Sequence, residues 1–218
     1  MKRILVSIVI IGLVGAAIGS GVHALFSDTE TASNNTFTAG TLNLQVGSAD
    51  PCVEHISLSG MKPNTTGNAA SWLTTNIGTI DGTLDVTLST ITNNENTRSE
   101  VETAAGDTTD STGELGGLLK VAFWMDTNKD GTWSSGDYYL SSGGAKVSWS
   151  SGSTLPAAAY DIVNNYASKA WTSIQTVTST ADAGNFRVEY NFPNGGSGDN
   201  QAQSDSCVFD ISFVLNQQ

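Results

Sequence analysis

The amino-acid sequence predicts an all-β fold: a jelly-roll-like β-sandwich with a short helix and long surface loops. Three observations carry this. First, apolar and polar residues alternate with a period of two in roughly eight to ten short runs, as half-buried strands do. Second, these runs are separated by turn-forming clusters. The chain has 23 glycines and only 4 prolines, with abundant Thr, Ser and Asn, a composition that favours strands joined by tight turns. Third, Leu118 to Met125 (LLKVAFWM) is apolar on both faces, which suits a central strand covered on both sides. A length of 218 residues allows one such domain after processing.

Residues 1–24 have the three parts of a secretory signal. Lys2 and Arg3 supply the charged start, and Ile4 to Ile18 an apolar run. That run of about 15 residues falls short of the roughly 20 that span a bilayer. Val22-His23-Ala24 fits the small-residue rule for cleavage and would leave Leu25 as the new terminus. An uncleaved anchor is the alternative, weakened by Gly12, Gly15, Gly19 and Gly21.

Residues 25–46 follow as LFSDTETASNNTFTAGTLNLQV. Leu25 and Phe26 form an apolar hook, Ser27 to Thr36 a polar spacer, and Leu42, Leu44 and Val46 the inward side of a first strand. The expected organisation is therefore a signal (1–24), an N-terminal segment (25–40) and a β-sandwich domain (41–218). Within the last, Cys52 to Leu58 resumes the strand pattern, and Met61 to Ala70 reads as a loop. Trp72 to Ile80 and Thr83 to Leu88 read as strands. Asn93 to Glu114 is a polar, acidic excursion with a helix-compatible piece at Arg98 to Ala105. Tyr138 to Leu140 and Lys146 to Trp149 are short strands. Pro156 to Ala170 reads as the one helix, with Pro156 in its first turn and Ala159, Ile162, Val163, Tyr166 and Ala170 on one face. Trp171 to Val177, Phe186 to Phe192 and Cys207 to Leu215 complete the strands, and Pro193 to Ser206 is a loop.

FSDTETASNNTFTAGTLNL, placed directly after a short hydrophobic leader, resembles the start of the camelysin/TasA family of exported surface proteins. The resemblance covers residues 1–46, with weaker echoes later. It implies a jelly-roll subunit of an extracellular fibre, exported through a dedicated signal peptidase. In such fibres the N-terminal segment enters the sandwich of the next subunit as a donated strand. Leu25, Phe26, Phe37, Leu42 and Leu44 are then the assembly residues. Ser27 to Asn35 extends roughly 30 Å at about 3.3 Å per residue, enough to reach a neighbour. The family's camelysin side carries a metalloprotease label.

The sharpest chemical motif is Asp126-Thr127-Asn128-Lys129-Asp130-Gly131 with Asp137 at position 12. This is the ligand order of a calcium loop, with Thr132 adding its carbonyl and Ser134 acting through water. Asp at position 12 is shorter than the usual Glu, and a solvated Asp-Asn-Gly hairpin is the other reading. Zinc chemistry is poorly served. The histidines are His23 and His55, and there is no H-E-x-x-H or C-x-x-C. Cys52 and Cys207, an even pair in an exported chain, are expected to form a disulfide. It would close a loop of roughly 155 residues, worth about 5 kcal/mol in the chain-entropy model. Two unpaired thiols are the alternative. Asn34 and Asn64 lie in glycosylation sequons. The five tryptophans either pack the sheets or line a carbohydrate face.

The formal net charge is −12. Without Lys2 and Arg3 the remaining 7 basic and 21 acidic residues give −14, which disfavours nucleic acid and anionic lipid as partners. The expected function is thus a secreted, non-catalytic structural subunit that polymerises head-to-tail with itself into a cell-surface or matrix filament of pilus or biofilm type. It would meet signal peptidase during export and leave the membrane after cleavage. The alternatives are a secreted camelysin-like metalloprotease and a monomeric, calcium-dependent carbohydrate-binding module. N-terminal sequencing of the exported protein is expected to begin at Leu25 or within a residue or two. A retained leader would mean a membrane-anchored protein.

Overall fold

The period-two runs become strands whose inward faces meet in one hydrophobic core. The computed structural model describes residues 2–22, 38–52, 56 and 61–217, with backbone alone for 17–22. Residues 1–39 and 40–218 form separate units. In the first, α1 (Lys2–Val22) opens on Lys2 and Arg3 and continues with a mostly apolar sequence. No helix among the described residues is long and apolar enough to cross a membrane.

The second unit begins with β1 (Leu44–Val46), β2 (Thr65–Asn76), β3 (Gly82–Leu88) and β4 (Thr92–Asn94). Two short helices, α2 (Glu100–Ala104) and α3 (Leu115–Leu118), lead into β5 (Lys120–Asp126). There follow β6 (Tyr138–Leu140), β7 (Lys146–Ser148), β8 (Asp161–Ile162), β9 (Ala170–Val177) and β10 (Asp182–Phe192). The chain ends through α4 (Ser197–Gln201), β11 (Ser206–Val208) and β12 (Ile211–Gln217). The main sheet runs β1-β2-β10-β5-β6-β7, and β8 shares the β6 edge of β5. A second sheet runs β12-β3-β9, and β4 pairs with β11 alone. Every pairing is antiparallel. The predicted all-β sandwich is what the chain forms.

The core lies between the two larger sheets. Val121, Phe123 and Met125 of β5 and Phe186 and Val188 of β10 are buried, as are Leu84, Val86 and Leu88 of β3. Phe186 meets Phe213 of β12 edge-on at 4.8 Å, and Phe123 meets Tyr166 at 5.0 Å, the edge-to-face geometry that ring quadrupoles favour. β5 is buried on its other face too, as its double apolar pattern predicts. There Ala122 and Trp124 pack with Trp133, Tyr139 and Ala159 in a second small core. Trp124 donates its indole N–H to Glu189 Oε1 at 3.0 Å, which satisfies a polar group that would otherwise be buried unpaired.

Four local expectations are corrected. The stretch read as a loop up to Ala70 is strand from Thr65, because β10 offers backbone partners along its whole length, from Thr65 opposite Phe192 to Thr75 opposite Asp182. The helix over Pro156 to Ala170 does not form. Two 3-10 turns, Ala157–Ala159 and Val163–Tyr166, flank β8 instead. Asp161 accepts from the backbone N–H of Ile162 and from Asn165 and Ser142, side-chain competition that breaks helices, and Val163 N–H is taken by Leu119 O. Cys207 to Leu215 is two strands, because β11 pairs with β4 and β12 with β3. The loop from Pro193 to Ser206 contains α4. By contrast, the helix-compatible piece near Arg98 is α2, opened by a capping box between Ser99 and Glu102.

One glycine is fixed by contact. Gly184 has φ +133° at a register shift in β10, and a Cβ there would lie 2.5 Å from Asp126 O. No side chain fits at that crossing. The outer core generates a test. Trp133→Ala empties the cover over Trp124 while leaving the inner core intact. Urea denaturation should show a loss of about 3 kcal/mol. A loss below about 0.5 kcal/mol, as for an ordinary surface site, would mean that Trp133 does not cover β5 in solution.

Candidate functional site

Three places stand out: the Asp126–Asp137 loop and the open side of the sandwich, which hold residues singled out by sequence, and a nest of acids beside α3.

The Asp126–Asp137 loop leaves β5 and folds back over its outer face, held there by Trp133. Asp126 and Asp137 are fully buried. Asp126 accepts from the N–H groups of Asp130 at 3.2 Å and Gly131 at 2.8 Å, and faces the Arg187 guanidinium at 3.6 Å. Asp137 accepts from the backbone and hydroxyl of both Thr127 and Ser134. Asp130 accepts from Thr132 N–H and from Asn128 Nδ2. Gly131 takes the positive φ, +77°, that the sharp turn requires. The predicted ligands Asp126, Asn128, Asp130, Thr132 and Asp137 thus form one self-bonded turn. Its buried charge is met by Arg187, and each oxygen of Asp126, Asp130 and Asp137 accepts a hydrogen bond from within the loop. These three are not among the acids whose oxygens all lie within 4.8 Å of one another.

On the open side, β1 is one edge of the main sheet and β12 one edge of the second. Between them lies a cleft of about 400 Å³ lined by Leu42, Leu44, Val46, Pro51, Ile211, Phe213 and Leu215. The inward residues of β12 (Ile211, Phe213, Leu215) remain half-exposed, whereas those of neighbouring β3 are fully buried. The core is unfinished at this edge. The sequence-predicted assembly residues Leu42 and Leu44 line it, while Leu25, Phe26 and Phe37 lie outside the described residues. Residues 41–43 extend the β1 edge by backbone bonds from Ile77 and Thr79 to Asn43 and Thr41.

The disulfide expectation is corrected: Cys52 and Cys207 are both free. Cys52 is exposed on the cleft after Pro51, whereas Cys207 sits in β11 and packs on the core. Cys52 lies outside any strand, and burial pushes the Cys207 thiol up. Of the sequon residues, Asn64 is exposed in a turn, and Asn34 lies outside the described residues, as do His23 and His55. Trp124, Trp133 and Trp171 are buried and Trp72 and Trp149 half-buried, so no exposed aromatic face for sugar is formed among the described residues.

The third place was not singled out as a site by the sequence. Glu95, Glu114 and Asp205 each bring a carboxylate oxygen within 4.8 Å of the others, and among the described residues they are the group of acids that converges in this way. Asp205 Oδ2 caps α3 by accepting from Glu114 N–H at 2.5 Å and Leu115 N–H at 3.3 Å. Asp107 is 6% exposed. Its Oδ1 and Glu114 Oε1 share the Thr109 hydroxyl, at 3.1 and 3.3 Å. The hint in the sequence was only the acidity of Asn93 to Glu114. Asp205, about ninety residues further on, carried no pattern.

A family model described as camelysin metallo-endopeptidase matches residues 1–218. No curated protein matches the chain. The family description overturns the expectation that the chain is without catalysis, since it names a peptidase that works with a metal. The acidic nest is the described place whose donors suit a cation. Its set is oxygen only, which fits a hard divalent ion and not the nitrogen and sulfur preference of zinc.

Burial, with Asp205, Glu102 and Asp107 nearby, pushes the Glu95 carboxyl up to about 7. Burial, with Asp107 and Asp205, also raises Glu114. A carboxyl whose folded pKa lies above its unfolded value favours folding while protonated. That contribution is complete below about 4.5 and is lost as pH rises through about 7. In chelator, the melting temperature should therefore fall between these pH values, and Glu95→Gln should flatten the decline. An identical pH profile in the variant would show that Glu95 is not held in this nest.

Proposed function

The chain belongs to the camelysin metallo-endopeptidase family, and from that premise we propose that it is an exported surface subunit which assembles by β-strand addition. The observation that carries this reading is the unfinished core beside β12. An edge strand with free backbone donors and acceptors, next to half-exposed Ile211, Phe213 and Leu215, is what an incoming strand completes. The occupant proposed is the segment 25–40 of a second copy. Its Leu25, Phe26 and Phe37 would supply the missing apolar side chains, and its polar spacer the reach. Backbone pairing with β12 supplies affinity, and alternate side chains fix register. Because each copy would give its 25–40 segment to one neighbour and receive another's at the cleft, contact would be head-to-tail and need not close, which gives a fibre. Export through the leader, with cleavage by a signal peptidase, would release the donor segment outside the cell.

The family's description supports a second reading, metal-dependent peptide hydrolysis. The observation favouring it is an open pocket of about 320 Å³ that reaches Glu114 from outside, lined also by Asn93, Leu118 and Asn164. Casein cleavage that a chelator stops and Glu114→Gln abolishes would establish it. Intact casein in the presence of divalent metal would remove it.

For the assembly reading, deleting residues 25–36 should leave a folded monomer that no longer polymerises, as followed by sedimentation and electron microscopy. Phe213→Asp, which places a charge in the cleft, should block fibres as acceptor while leaving the donor segment intact. Mixing the two variants should produce no long fibre. Normal fibres from the truncated protein would sink the donated-strand mechanism.

A further inference from the structure

Glu95, Asp107, Glu114 and Asp205 come from separate stretches of the chain: the end of β4, the connection from α2 to α3, and the connection from α4 to β11. Together they bury five carboxylate oxygens that no N–H or hydroxyl donor among the described residues reaches: Oε1 and Oε2 of Glu95, Oδ2 of Asp107, Oε2 of Glu114 and Oδ1 of Asp205, with Glu95 and Asp205 within hydrogen-bonding reach of each other. Their remaining oxygens are occupied. Asp107 Oδ1 accepts from Thr109 N–H at 2.8 Å and from its hydroxyl, Glu114 Oε1 takes the same hydroxyl, and Asp205 Oδ2 caps α3. Local bonding therefore fixes each side chain and leaves its other face bare. The ion pairs among the described residues join Arg98 to Asp110, Lys129 to Asp182 and Arg187 to Asp126, and none reaches these four acids. Gly113 makes the arrangement possible, because a Cβ there would lie 2.8 Å from Asp205 Oδ2.

A buried carboxylate without partner is strongly disfavoured, and several in one place repel each other. The Asp126–Asp137 loop shows the contrast, since there every carboxylate is spoken for. Here Asp107, 6% exposed, keeps its Oδ2 unpartnered near enough to Glu95 and Glu114 to raise both carboxyls.

We propose that this nest is a binding site for a hard divalent cation, calcium, held by the carboxylates of Glu95, Glu114 and Asp205. Calcium takes six to eight oxygens in irregular geometry, and water from the adjoining pocket completes its shell. Magnesium demands a stricter octahedron and gives up its waters reluctantly, which three converging carboxylates suit less well. The ion ties the excursion between β4 and β5 to the segment entering β11 and β12, across more than a hundred residues of chain. It does for this lobe what a cross-link would do.

The test uses the full-length protein stripped with chelator and titrated by calorimetry with calcium, magnesium and zinc, with melting followed in parallel. Calcium should bind at one ion per chain to this site, more tightly than magnesium or zinc. At a hundredfold excess over Kd it should raise the melting temperature by about 5–10 °C. Glu95→Gln removes the charge of a carboxyl that no N–H or hydroxyl donor reaches and that pairs with Asp205 alone. It should melt at or above the metal-free wild type and bind calcium at least about tenfold more weakly. Glu114→Gln should lose binding likewise, whereas Asp130→Ala should bind as the wild type does. No melting response to calcium in the wild type would overturn the site. So would unchanged binding by both glutamate variants, loss of binding in Asp130→Ala, or a preference for zinc.

Discussion

The structure depends on burying β5 on both faces. A strand reading Val-Ala-Phe-Trp-Met has no side that water can have. Its inner residues, Phe123 and Met125, are satisfied by the sandwich, as β10 and β3 bring Phe186, Leu84 and Val86 to meet them. Its outer residues, Ala122 and Trp124, need a cover that no third sheet provides. Loops provide it: the Asp126–Asp137 turn folds Trp133 down, and the segment before β8 adds Ala159. The dense hydrogen bonding of that turn follows from its task. A loop that must bring a tryptophan back over its own strand has little conformational freedom to spare, and Asp126 and Asp137 restrain it from within.

The same economy explains why the two edges of the sandwich differ. On the β6–β7 side the sheet is closed by short hairpins and covered by the outer core. On the β1–β12 side the inward residues of β12 are placed to finish the core but have nothing opposite them. Edge strands are normally blunted by charge, proline or cover. β12 carries no charged residue between Ile211 and Gln217, so its backbone edge is left available for pairing.

A third feature links these two. The lobe formed by β4, β11, α2, α3 and α4 carries few large apolar residues. Asp205 helps hold it by capping α3, and the capping box of Ser99 and Glu102 holds α2. Its polar interior places carboxylates where the larger core places rings. β11 runs from this lobe towards β12, so the order of the acid-rich lobe bears directly on the strand that borders the cleft.

Much of the fold was legible because its signal is local. The alternation in Thr83 to Leu88, the double-sided Leu118 to Met125 and the Ser99–Glu102 cap each declare an element within a few residues. What failed were stretches whose state is set by a distant partner. Thr65 to Ala70 looks like a loop until β10 supplies its hydrogen bonds. Pro156 to Ala170 has a helical period, yet Asp161 and the edge of β5 break it. The ligand order of Asp126 to Asp137 is genuine as a pattern. Its carboxylates were nevertheless drawn into backbone bonds and, from Asp126, onto Arg187, a residue of β10 whose place no spacing could foretell. The convergence of Glu95, Glu114 and Asp205 was invisible for the same reason. Sequence by itself determined the strand periods, the acidity and the leader-like start. Tertiary structure alone decided which acids meet and which cysteines do not, because those are facts of chain crossing, and hydrophobic burial of the strands, not the spacing of polar residues, sets where the chain crosses.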